Sequence, residues 1–247
     1  MFKPCVVIPV YDHEHAVGAV VNEVLALNLP CVIVDDGSSL ACATVLDALA
    51  AGTPNRITLI RYTVNRGKGR AVLSGLRYAP NAGYSHAVQI DADGQHRALD
   101  IPNFLEQAAA HPGALIVGCP EYDETAPSAR LYARYLTYIW VCINTLSLQI
   151  NDSMCGLRVY PLSAMIALDK RQKLSERMSF DIEVLVRLYW DGVQIINLPT
   201  PVGYRWDGVS HFRAVLDNWL ISQTHATLFF GMLLRLPMLI ARKWRSQ

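Results

Sequence analysis

His86-Ala87-Val88-Gln89-Ile90-Asp91-Ala92-Asp93-Gly94-Gln95-His96 is the stretch on which the fold turns. Its first five residues form a short apolar run of the kind a buried strand makes, and the next six form a polar turn carrying two carboxylates. The same arrangement recurs upstream. Residues 6–10 predict a strand, and 15–27 an apolar-periodic helix. A strand over 31–34 then stops at Asp35-Asp36-Gly37-Ser38-Ser39. A helix over 41–51, a strand over 57–62, the loop Asn65-Arg66-Gly67-Lys68-Gly69 and a helix to about Ala79 lead back to the opening stretch. Strands alternating with helices imply parallel βαβ units and an α/β fold with a doubly wound, mostly parallel sheet flanked by helices. Ligands of such sheets bind beyond the carboxyl ends of the strands. Asp35-Asp36 and 91–96 both stand there, so one crevice should gather them.

Composition narrows the class. The 247 residues are 52% hydrophobic and 17% charged, enough to bury a large core and too apolar for disorder. With 22 basic against 21 acidic residues the net charge is +1, which gives no global field for nucleic acid. The charge is unevenly placed. Residues 212–247 hold Arg213, Arg235, Arg242, Lys243 and Arg245 against Asp217 alone, on an apolar background that suits an anionic membrane surface. Six cysteines without a Cys-x-x-Cys pair, several inside apolar runs, predict buried free thiols in a reducing compartment. Met1-Phe2-Lys3-Pro4 leads straight into the first strand, and a cytoplasmic, peripherally membrane-associated protein is expected.

Three clusters carry chemistry. Asp91 and Asp93, with Gln95 two residues on, can converge on one hard cation, Mg²⁺ or Mn²⁺, that leaves positions open for phosphate oxygens. The competing reading is a solvated turn. Asp35 and Asp36 could take hydrogen bonds from a ribose or base, or could cap the following helix. Lys68, between two glycines at a helix N-terminus, suits phosphate. The loop is no P-loop, and the first βα turn, Pro9-Val10-Tyr11-Asp12-His13, lacks the dinucleotide glycines. In order and at strand ends, the three would build a nucleoside-diphosphate pocket with a metal at the phosphates.

The C-terminal half is less regular. Residues 131–150 are apolar with one charge, Arg134, and predict a packed or interfacial helix. Residues 226–241 are apolar but interrupted by Arg235 and Pro237, which predicts amphipathic pieces too short to span a bilayer. The expected division is a catalytic domain over 1–211 and an amphipathic, basic helical tail over 212–247.

Ile8-Pro9-Val10-Tyr11, Asp35-Asp36-Gly37-Ser38, Asn65-x-Gly67-Lys68-Gly69-x-Ala71 and Asp91-Ala92-Asp93-Gly94-Gln95-His96 together resemble the family-2 glycosyltransferases. The resemblance is to the branch of dolichol-phosphate mannose synthase and bacterial polyprenyl-phosphate glycosyltransferases. Asp152-x-x-Cys155-Gly156-Leu157-Arg158 resembles that branch's Asp-x-x-Ser/Thr-Gly-Phe-Arg. Phe180-Asp181-Ile182-Glu183 and Gly208-Val209-Ser210-His211-Phe212 also have counterparts, so the resemblance covers roughly residues 4–212. It implies a GT-A fold, a nucleoside-diphosphate-sugar (NDP-sugar) donor, a divalent metal and inversion at the anomeric carbon. By position it implies that Pro9, Tyr11, Asp36, Lys68 and Asp91 line the nucleotide-sugar site. Asp91, Asp93 and Gln95 would hold the metal, Arg158 a phosphate, and Asp152 would lie beside the reacting centre. Two positions depart from the pattern: Asp12-His13 stands where Asn-Glu is usual, and Gly118-Cys119-Pro120 where Gly-Ser-Arg is frequent. Arg130 or Arg134 could then supply the acceptor-site cation, with His211 as a further candidate.

A phosphate acceptor is already anionic and needs alignment, whereas a hydroxyl needs a carboxylate base within about 3 Å. Asp152 is the first candidate base and Asp181 the second, although acidic residues also favour a helix start. The expectation is an inverting, metal-dependent transfer to a lipid or polyprenyl-phosphate acceptor at the cytoplasmic membrane face. The alternatives are transfer to a soluble or carrier-tethered hydroxyl, and a non-catalytic nucleotide-sugar-binding scaffold.

Overall fold

The computed structural model describes residues 1–122, 128–203 and 212–245. Seven strands form one sheet: β1 (Pro4–Val10), β2 (Cys31–Asp35), β3 (Ile57–Arg61), β4 (His86–Gln89), β5 (Leu115–Tyr122), β6 (Arg158–Pro161) and β7 (Ile195–Val202). Their order is β3-β2-β1-β4-β6-β5-β7. All neighbours are parallel except β6, which runs antiparallel to both β4 and β5. The expected α/β, mostly parallel architecture is therefore present.

Alternation along each strand feeds two cores. Val6, Ile8 and Val10 of β1 pack with α1 (Val17–Ala26), α2 (Leu40–Gly52) and α4 (Ile101–Ala110) on one face. Cys5 and Val7 face the other way, toward α3 (Lys68–Asn81), α6 (Leu162–Arg171) and α7 (Phe180–Trp190). Strands buried on both faces appear as unbroken apolar runs, which is why 6–10 and 31–34 were legible. Because β1 lies between β2 and β4, the turns after all three open at one edge, where the chain direction of the layout switches.

The apolar stretch 131–150 supplies α5 (Ser128–Thr145), which ends at Leu146 with φ of 52°. The tail differs from expectation. Instead of pieces interrupted at Pro237, α8 runs unbroken over Ala214–Arg245, 32 residues, long and apolar enough by length and composition to cross a membrane. Proline removes one helical hydrogen bond, but tertiary contacts on both sides of it hold the helix. Leu228, Met232 and Leu239 are buried in the core shared with α5 and α7. Beyond the proline, Arg242 donates to the carbonyls of Tyr189 and Trp190 at 2.7 and 2.9 Å, satisfying the C-terminal end of α7. Before it, the Arg235 guanidinium lies 4.7 Å from the centre of the Trp190 ring. Two of the tail's cations are thus committed to the domain rather than offered outward.

Candidate active site

The turn after β4 holds Asp91 and Asp93 at the switch edge. Lys68, the first residue of α3, places its ammonium 2.8 Å from Asp91 Oδ2 and 3.2 Å from Asp181 Oδ2. Burial disfavours the charged lysine, yet the two carboxylates outweigh it and raise its pKa. Burial likewise opposes the Asp91 carboxylate, but Lys68 overrides that and its pKa is lowered. Asp93 goes the other way: burial and the neighbouring charge of Asp91 raise it, although its carboxylate accepts from the Gln95 amide at 3.0 Å.

The loop entering α3 is fastened from beneath. Asp36 accepts from the amides of Arg66 and Gly67, both at 2.8 Å, and burial is the main reason its pKa is raised. Gly67 has φ of 104°, and a Cβ there would lie 2.5 Å from the Glu176 carbonyl, so the loop needs glycine at this point. Asp35 is a structural partner, accepting from Ser38 N at 2.9 Å and Arg61 Nε at 2.7 Å. Ser39, not an aspartate, caps α2. The departure at Asp12 also has a local use: with φ of 50°, a conformation aspartate tolerates, it accepts from Ser39 N at 2.7 Å and couples the first loop to the second.

A cavity of about 960 Å³ joins these pieces. Pro9, Tyr11, Asp36, Lys68, Asp91, Asp93 and Gln95 all line it, so every residue assigned to the nucleotide and metal is brought to one place. The cavity continues between α5 and α8, where Arg134, Thr137 and Trp140 face Asp217, Ile221 and His225. Its α8 wall was not legible in sequence, because the i, i+4, i+8 spacing of Asp217, Ile221 and His225 resembles any amphipathic helix. Asn65 and His13, from the glycine-flanked loop and the departing first turn, also line the cavity, as does Arg177, which no sequence signal set apart.

Three expected catalytic residues are placed differently. Arg158 is fully buried and donates to the carbonyls of Cys155, Asp181 and Ser153 at 2.9, 2.7 and 2.6 Å, so its guanidinium holds backbone rather than a substrate phosphate. Asp152, the first candidate base, is outside the cavity lining and engaged at both oxygens. Its Oδ1 accepts from the amides of Met154 and Cys155 at 2.7 and 2.6 Å, and its Oδ2 takes Arg134 Nη2 at 2.8 Å. Asp181, the second candidate, is buried under Lys68 and outside the cavity lining. Arg134, by contrast, does line the cavity, oriented by Asp152. The Arg130 side chain and all of His211 lie outside the described residues.

Asp152, Gly156 and Arg158 act as one bracket. Asp152 folds the chain back on its own amides, Arg158 gathers three carbonyls, and Gly156 is pressed against Asp91. A Cβ on Gly156 would fall 2.0 Å from Asp91 Oδ2. The motif therefore shapes the floor beneath the acidic pair.

Among the described residues no cluster of three or more His, Cys, Asp or Glu side chains is arranged to hold a metal by itself. Asp91 Oδ1 is nevertheless buried without a hydrogen-bond partner, beside a second carboxylate and an amide. Such a partial oxygen set fits Mg²⁺ or Mn²⁺ whose other ligands come from a bound diphosphate.

A doubly wound sheet with an acidic pair and a lysine at its switch edge, opening on a cavity of nucleotide-sugar size, defines a glycosyltransferase of the GT-A class. A family model described as Glycosyl transferase family 2 matches residues 5–162, and the chain belongs to that family. Polyprenol monophosphomannose synthase of Mycolicibacterium smegmatis is 26% identical over 221 residues, covering 84% of this chain and 80% of the relative. Undecaprenyl-phosphate mannosyltransferase of Micrococcus luteus is 26% identical over 172 residues, covering 68% and 69%. Glucosyl-3-phosphoglycerate synthase from Mycobacterium tuberculosis, solved with Mn²⁺, UDP and glucosyl-3-phosphoglycerate, has the same fold. It superposes with a TM-score of 0.66 at 15% identity, covering 94% of this chain and 80% of that one.

Proposed function

We propose that the protein transfers a sugar, with inversion, from an NDP-sugar to a polyprenyl phosphate at the cytoplasmic face of a membrane. The observation that carries this is the single cavity that runs from the Lys68–Asp91 pair into the space between α5 and α8. On the outer faces of those two helices, Tyr132, Tyr135, Trp219, Phe230, Leu234 and Trp244 are exposed. Apolar patches of that kind on a soluble domain mark an interaction surface, and aromatic residues beside cations suit a lipid interface. Residues 212–247 would then be a membrane-surface element that also walls the site, while the catalytic domain comprises 1–211.

Pro9, Tyr11 and Asn65 would surround the nucleoside, with Asp36 keeping the 65–69 loop in place. Asp91, Asp93 and Gln95 would hold a divalent cation, which when bound would neutralise charge gathering on the departing diphosphate. Lys68 adds a second positive group at the same phosphates. Arg134, held by Asp152, would align the acceptor phosphate through charge-assisted hydrogen bonds. The carboxylates along the cavity are already engaged: Asp36 by two amides, Asp91 by Lys68, Asp93 by Gln95 N and Asp217 by Arg213 N. Among the described residues, then, every carboxylate lining the cavity already holds a partner, which favours an acceptor that arrives as an anion.

The test is transfer from a panel of UDP- and GDP-sugars to a short polyprenyl phosphate in detergent, with Mn²⁺, Mg²⁺ or chelator. One nucleotide series should support metal-dependent transfer. Asp93→Asn should lower it by about 10²-fold or more, the scale of losing a charge-stabilising group, without lowering the melting temperature. Transfer to a soluble hydroxyl acceptor, with none to the lipid phosphate, would replace this reading with the alternative one.

A further inference from the structure

Lys68 stands where a cation would bind. Its ammonium already neutralises Asp91, and an incoming divalent ion on the same carboxylate would meet a positive charge at contact distance. Asp181 is the second partner of that ammonium, and it is not free to move. Its Oδ1 accepts from Gln89 Nε2 at 3.2 Å, and Gln89 Oε1 in turn accepts from the Tyr160 hydroxyl at 2.9 Å. Arg158 Nη1 grips the Asp181 backbone carbonyl at 2.7 Å. Gln89, Tyr160, Arg158 and Asp181 are all buried, so the chain of hydrogen bonds is a rigid support drawn from β4, β6 and α7.

We propose that Asp181 is a positioning residue that keeps Lys68 bound when a divalent cation takes Asp91, so that the lysine acts as an internal counter-ion exchanged between the two carboxylates. This rests on the metal reading of Asp91 and Asp93. With Asp181 charged, the ammonium keeps a partner as it yields Asp91, and its repulsion of the ion is offset. Without that charge, Lys68 has only Asp91 and competes with the ion for it.

Asp181→Asn isolates the point. The amide oxygen can still accept from Gln89, whereas its NH₂ faces the lysine donor and cannot replace the ion pair. Mn²⁺ binding, followed by electron paramagnetic resonance on the full-length protein with UDP or GDP present, is the readout. Asp181→Asn should raise the Mn²⁺ dissociation constant about tenfold, the size expected for one lost charge at a partly screened distance. Asp181→Glu should recover most of that loss. Lys68→Met, with the competing cation removed, should bind Mn²⁺ more tightly than the wild type when no nucleotide is present. An Asp181→Asn protein that melts lower but binds Mn²⁺ like the wild type would reduce Asp181 to a packing residue and overturn the proposal. Failure of the wild type itself to bind Mn²⁺ would instead overturn the metal reading beneath it.

Discussion

Arg158 shows how a charged side chain can be committed wholly to the backbone around it. Its guanidinium is fully buried and spends its donors on three carbonyls. Arg158→Ala would leave those carbonyls unpaired in the interior, and a loss of about 3–5 kcal/mol of unfolding free energy is expected. Chemical denaturation of the variant checks this; lost transfer in a protein of unchanged stability would restore a direct role. His225 offers the opposite case. Burial lowers its pKa to about 4, so the folded ring stays neutral while an unfolded histidine, at its usual 6.5, takes up a proton. Stability should therefore fall as pH drops from 6.5 toward 4, with a contribution of at most about 3.5 kcal/mol at about 1.4 kcal/mol per pKa unit. His225→Phe removes that penalty, so thermal melts should show the variant gaining on the wild type in acid and not at pH 8.

Among the helices, α5 and α8 carry the division of labour between core and surface. One side of α8 buries Ile221, Leu228, Met232 and Leu239, while Phe230 and Leu234 point outward. Deleting the helix would damage the core and the cavity wall together, so exposed substitutions are the cleaner probe. Phe230→Glu with Leu234→Glu should leave the melting temperature within a few degrees, as surface changes usually do. Co-sedimentation with anionic phospholipid vesicles should drop severalfold. Undiminished vesicle binding would remove this face from the membrane argument. The uninterrupted α8 also shows why Pro237 misled a local reading: its cost is fixed by sequence, but Leu239, Arg235 and Arg242 offset it through contacts with the core and Trp190 that have no local signature.

Across the whole domain, the two-faced sheet decides which groups solvent can reach. None of the six cysteines is paired; Cys5, Cys31, Cys42 and Cys155 are buried, whereas Cys119 and Cys142 are partly accessible. Burial pushes Cys5, Cys31 and Cys155 up to about 12, and Cys119 to about 11. Alkylation of the native protein near neutral pH, read by mass spectrometry, should modify Cys142 first and Cys119 slowly. The other four should react only after unfolding, and rapid native labelling of Cys5 or Cys31 would contradict the double-sided burial of the sheet.

Strand runs such as 31–34, the turn at 91–96 and the lysine between glycines were readable along the chain because each expresses a local rule. Continuous apolar residues bury a parallel strand, and closely spaced carboxylates with glycine make a turn that can meet a cation. From those rules follow the α/β class, the crevice at the strand ends and the residues gathered there. The roles of Asp152, Arg158 and Asp181 depended instead on which groups the fold brought within hydrogen-bond reach. Arg134 from α5, Lys68 from α3 and the Asp181 carbonyl from α7 are distant in sequence from the side chains they engage. Burial then decided their chemistry, since a charge enclosed by partners is held as structure, while one left at the cavity wall remains available to a ligand.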